Sequence, residues 1–78
     1  MRKDITLDCF GLLCPMPIVK TAQAVKKLKK GKILEVIADD PGIEKDMPAW
    51  CESTGNKCLG IEKGKDKIIR AYVKKMKD

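Results

Sequence analysis

The segment Lys32 to Ala38, KILEVIA, is apolar at odd and even positions alike and rich in β-branched residues. A run of that kind suits a strand in the middle of a sheet, with neighbours on either side and a covering layer above. The remaining residues must supply both within a chain of 78, close to the smallest size at which one core sustains a fold. A second domain does not fit, and residues 1–78 read as a single domain. Apolar residues make up 44% and charged residues 36%, so the chain reads as globular, with a core of Ile, Leu and Val rather than of aromatics.

Around that strand the periodicity changes in an ordered way. From Lys3 to Cys9, Ile5, Leu7 and Cys9 alternate with polar residues, the period-two pattern of a half-buried strand. From Pro15 onward the period becomes helical: Ile18, Ala22, Val25 and Leu28, with Val19 beside them, form one stripe, and Gly31 supplies a left-handed stop. Strand, helix, strand in this order implies a parallel crossover. After the turn Asp39 to Gly42, a second stripe of Ile43, Met47, Trp50, Cys51 and Thr54 predicts another helix, with Pro48 marking a loose first turn and a restart near Asp46. Trp50 falls on this stripe as a core anchor. Gly55-Asn56 closes the helix. Lys57 to Gly64 and Lys67 to Lys75 then form a hairpin with a tight turn at Gly64-Lys65-Asp66. The predicted architecture is an α/β (α+β) two-layer sandwich, βαβαββ, with two helices packed on one face of a four-stranded mixed sheet.

The N-terminus has no apolar run of signal-peptide length, and the uncharged stretch Cys9 to Val19 is too short and proline-rich to span a bilayer. A cytoplasmic protein without a membrane partner is expected, with its four cysteines as free thiols rather than a disulfide scaffold. The net charge is +6, much of it from Lys26 to Lys32, KKLKKGK. Such a run is first of all a solvated helix end.

The chemistry concentrates in Gly11 to Lys20, GLLCPMPIVK. Pro15 and Pro17 open the first helix, where the first four N–H groups have no partner and proline sacrifices nothing. Cys14 falls at or beside the N-cap, where unpaired N–H groups and the positive end of the helix dipole favour an anion such as a thiolate or persulfide. The competing reading is a small buried hydrophobe. The chain contains no histidine, so a Cys-His dyad and imidazole acid/base catalysis are excluded within it, and Cys-x-x-Cys is absent. A cysteine with so little help from its own chain suits a carrier of a group better than a self-sufficient enzyme.

The run Leu7 to Pro17, LDCFGLLCPMP, resembles the signature of the TusA/SirA-like sulfur-carrier proteins in Leu7, Asp8, Gly11, Cys14, Pro15 and Pro17. The stretch Asp46 to Trp50, DMPAW, resembles the family's Asp-x-Pro segment, and Gly55 matches a turn glycine. The resemblance implies a sulfurtransferase-class carrier that holds sulfur as a persulfide on Cys14, without any other cofactor or a metal. The sulfur would come from a cysteine desulfurase or rhodanese-like donor and pass to a downstream acceptor of a sulfur relay. Pro15, Pro17, Gly11, Asp8 and Asp46 would support the site.

Three further thiols stand outside that pattern. Cys9, five residues before Cys14, is either a strand-end core residue or a second thiol for a transient disulfide or sulfur hand-off. Cys51 sits in the second helical stripe, and Cys58 alternates opposite Leu59 and Ile61, which leaves it partly exposed. A zinc site would need all four thiolates to converge from uncommon spacings. Asp8 and Asp46 can orient the loop or cap a helix without further function, while Lys20, Lys26 and Lys27 gain interest as a positive face beside an anionic persulfide. Two other functions stay open. A small basic RNA-binding module fits the charge, although the scarcity of aromatics and the absence of RNP or GxxG loops argue against direct nucleic-acid binding. A thiol redox regulator would use Cys9 with Cys14.

Overall fold

The computed structural model describes residues 3–13 and 16–77. Its elements are β1 (Ile5–Asp8), α1 (Met16–Lys26), β2 (Ile33–Ala38), α2 (Ile43–Thr54), β3 (Lys57–Lys63) and β4 (Ile69–Lys74). The sheet order is β1-β2-β4-β3, with β1 parallel to β2 and the other pairs antiparallel. This is the expected two-layer arrangement, and β2 lies inside the sheet as its two-sided apolar pattern requires. One face of β2, Leu34, Val36 and Ala38, packs with Ile69, Ala71 and Val73 of β4 under Val25 of α1 and Ile43, Met47 and Cys51 of α2.

The other face is sealed by polar chemistry. Glu35 on β2 is buried, and Lys3 Nζ (2.8 Å), Thr6 Oγ1 (3.0 Å) and the Tyr72 hydroxyl (2.8 Å) all donate to its carboxylate. These bonds, Lys3's first, hold the Glu35 carboxyl below its ordinary range against the opposing effect of burial. A buried carboxylate with its partners in place avoids the desolvation penalty of an unpaired one.

Several local expectations need correction. Val25 and Leu28 of the predicted α1 stripe are buried, but toward the helix start the buried positions are Thr21 and Pro17, each one before the predicted Ala22 and Ile18, which are half-buried, and Val19 is exposed. Thr21 can be buried because its hydroxyl donates to the Pro17 carbonyl at 2.7 Å, a local satisfaction that apolar periodicity does not register. The helix also ends at Lys26, with Lys27 and Leu28 in tighter turns donating to Ala24 and Val25. Gly31, at φ +90°, has the expected left-handed conformation but lies beyond the helix, where its N–H donates to the Lys75 carbonyl just after β4.

In α2 there is no restart at Asp46. The helix is continuous from Ile43 because Ile43, Met47 and Cys51 anchor its buried side, while Pro48 and Glu44 are exposed. Water can serve the Glu44 carbonyl that Pro48 leaves without a donor. Gly55, at φ +79°, closes α2, and both its N–H and that of Asn56 donate to the Cys51 carbonyl.

The β3–β4 connection is wider than a tight turn at Gly64-Lys65-Asp66. It runs from Gly64 to Ile68, joined by Gly64 N–H to the Ile68 carbonyl, and Lys67 adopts φ +65°. Finally, β3 carries a bulge between Cys58 and Gly60. The extra residue shifts the alternation, so Cys58 and Ile61 both pack against the core despite their opposite parity.

Candidate functional site

Because β1 and β2 are parallel, their C-terminal ends lie at the same edge of the sheet, and each helix starts there. The loop after β1 is held by its own side chains. The Phe10 N–H donates to Asp8 Oδ1 at 2.9 Å, and the Leu12 N–H donates to the Cys9 carbonyl at 3.1 Å. Gly11 takes φ +82°, a conformation that favours glycine, and its N–H donates to Asp39 Oδ1 at 2.9 Å. Asp39 directly follows β2 and is the residue that sequence reasoning missed. Its signal was present in the DDPG segment, yet a turn signature explains an aspartate without asking which neighbouring loop its carboxylate reaches.

Cys14 and Pro15 lie outside the described residues. On either side of them, Leu13 accepts a 2.8 Å hydrogen bond from the Met16 N–H, and α1 begins at Met16 with no acidic residue in its first turn. The flanking side chains are apolar and exposed: Phe10 by 58%, Leu13 by 75%, Met16 by 41% and Val19 by 40%. Pro17 is buried. It shares a narrow crevice with Ile18, Asp40, Ile43 and Asp46, which brings Asp46 of α2's first turn against the start of α1. Asp8 and Gly11 are thus joined in one hydrogen-bonded loop, and Pro17 and Asp46 meet between the two helix starts.

The other thiols are packing groups. Cys9 is fully buried in the core, and its thiol is pushed up in pKa by burial and by the Asp8 carboxylate, with the Lys20 charge pulling the other way. Cys51 is buried too, its thiol pushed up to about 12 by burial and by the adjoining Cys58 thiol. Neither is poised to form a thiolate near neutral pH.

The three lysines do not form one face. Lys20 and Lys27, seven residues apart, line a trough against β1, whereas Lys26 lines a different cleft with Trp50 and Lys77. At about 100° per residue, positions seven apart share a face and their neighbour does not. Trp50 is half-buried, packing against the core from the rim of that cleft.

Residues 5–75 match the model of the family described as Sulfurtransferase TusA. A protein of Aquifex aeolicus named as a candidate sulfur carrier is 44% identical over 75 residues, and YrkF of Bacillus subtilis, named likewise, is 47% identical over 75 residues. Each match covers 96% of this chain but only 38% and 40% of those proteins, so the chain spans about two-fifths of their length. The sulfur carrier protein TusA of Allochromatium vinosum is 41% identical over 56 residues, covering 72% of this chain and 74% of that protein. The crystal structure of a SirA-like protein from Desulfitobacterium hafniense superposes with a TM-score of 0.83 at 20% identity, covering 95% of this chain and all of that one. It has the same fold. No helix among the described residues is long and apolar enough to cross a membrane.

Proposed function

The chain belongs to the sulfurtransferase TusA family, and from that premise we propose that it is a sulfur carrier, loaded as a persulfide on Cys14 by a donor protein and unloaded by an acceptor. The observation that carries the reading is the family match over residues 5–75, within which the sequence Cys14-Pro15 immediately precedes Met16 and Pro17, the first residues of α1. In the loading step the Cys14 thiolate attacks the outer sulfur of a donor persulfide. A new S–S bond forms at Cys14, the donor's S–S bond breaks, and the donor sulfur leaves as a thiolate, with no net oxidation. Unloading repeats the exchange with an acceptor thiolate attacking the outer sulfur.

Two features of the surroundings support this role. A helix start without acidic residues of its own favours an anionic sulfur through the positive end of its dipole. The exposed Phe10, Leu13, Met16 and Val19 give a partner an apolar surface to cover around the motif. A cysteine desulfurase or rhodanese-like protein is the donor class, and the cytoplasm, where thiols stay reduced, is the compartment. A Cys9–Cys14 redox pair is disfavoured by the complete burial of Cys9.

The test is to incubate the protein with a desulfurase and cysteine, or with a rhodanese and thiosulfate, and to map added sulfur by mass spectrometry. One additional sulfur on the peptide containing Cys14 is expected, and none on a Cys14→Ser variant. Equal loading of that variant, or sulfur found only at Cys9, Cys51 or Cys58, overturns the proposal.

A further inference from the structure

We propose that the trough between α1 and the free edge of β1 receives an extended acidic segment of a partner protein, which joins the sheet beside β1. Among the described residues β1 is paired with β2 alone, so backbone groups on its other side are open to an added strand. Edge strands are ordinarily blunted by charge or by a covering element. Here α1 does not close over the strand: Ile5 is 49% exposed, and the space above it is a trough of about 250 Å³.

Floor and rim of the trough differ in chemistry. Ile5, Leu7, Leu28 and Leu34 make an aliphatic floor, and Lys20 and Lys27 stand at the rim. Past the end of α1 the trough continues into a second hollow of about 330 Å³, which shares Ile5, Lys27 and Leu28 and adds Lys29 and Lys32. Asp4 also lines it, with Oδ2 accepting the Ile33 N–H at 2.9 Å.

Charge and shape select the occupant. A second copy of this chain would bring a net charge of +6 and the same lysines to the contact, so self-pairing across β1 is repelled. Single-stranded RNA would satisfy the lysines, but the floor has no aromatic ring on which bases could stack. A peptide strand with apolar side chains for the floor and carboxylates for the rim satisfies both, and its main chain can pair with β1.

The surface is separate from the Cys14 chemistry and is tested without it. The probe is a peptide of about eight residues, an ordinary strand length, that repeats Val-Thr-Glu-Thr so that Val and Glu alternate on one face. It is titrated at physiological salt into the isotope-labelled protein and followed by amide NMR shifts. Shifts are expected at Ile5 to Asp8 and at Lys20 to Leu28, with affinity reduced about tenfold or more in Lys20→Glu and Lys27→Glu. A Cys14→Ser variant should bind unchanged. The proposal is overturned if those amides do not move, if a Val-Thr-Lys-Thr repeat moves them equally, or if an RNA oligonucleotide moves them at lower concentration than the peptide.

Discussion

The two helices start at the same edge of the sheet, each after the C-terminal end of a strand and each close to proline, but their first turns are built oppositely. That of α2 is filled by its own residues. Glu44 and Asp46 supply negative charge to the dipole, Ile43 is buried, and Asp40 Oδ1 accepts the Gly42 N–H at 3.0 Å. That of α1 has no acid, and its Met16 and Val19 face solvent beside Leu13. One helix start carries its own acids and packs its own apolar residue, and the other has no acid of its own and leaves apolar side chains for something outside the chain to cover.

The largest effect expected of this difference is in thiol reactivity. With iodoacetamide at about pH 8, Cys14 should be alkylated first and Cys51 last, read by peptide mass spectrometry over time. A thiol pushed up to about 12 is thiolate in roughly one part in ten thousand at that pH, and burial slows it further. Cys58, half-buried beside it, falls between. Modification of Cys51 before Cys14 would break the contrast between an open site at α1 and a packed face on α2.

A difference in stability should accompany it. Met47→Ala, under α2, removes a fully buried side chain and should cost about 2–5 kcal/mol, whereas Met16→Ala at the exposed start of α1 should stay within about 0.5 kcal/mol. Urea unfolding of both variants measures the gap, and equal losses would mean that Met16 is packed like Met47. Next in size is Gly11→Ala. An alanine at φ +82° is strained by about 1 kcal/mol even though the space there is open. The same unfolding measurement should show that loss, and Asp39→Ala, which removes the carboxylate accepting from Gly11, should raise hydrogen exchange at that amide.

The sequence was most legible where pattern is long and the environment uniform. KILEVIA placed β2 inside the sheet, and the alternation of periods predicted the element order. Legibility failed where one residue's local bonding outweighs its polarity or its place in the count. Thr21 hides its hydroxyl on the Pro17 carbonyl and joins the buried stripe. The bulge after Cys58 reverses the parity of the rest of β3, and parity is the whole basis of a strand-face reading. At the site, Asp8 and Gly11 were readable as parts of a local motif. Asp39 was not, because its link to Gly11 spans 28 positions and depends on two strands ending side by side.

The smallest effect bears most directly on the comparison, because it converts one helix start toward the other. Val19→Glu places in the first turn of α1 a carboxylate of the kind that Glu44 supplies to α2. Dipole compensation should raise stability by about 0.3–1 kcal/mol, with the exposed valine giving up little packing. The added charge should also compete with an anionic sulfur at Cys14 and slow persulfide loading by the donor. A thermal melt and the loading assay, run on the same variant, therefore move in opposite directions if the start of α1 is kept free of acid for the sake of its cargo. If Val19→Glu stabilises the protein and loads at the wild-type rate, the missing acid carries no electrostatic role in sulfur transfer, and the contrast between the two helix starts reduces to apolar exposure alone.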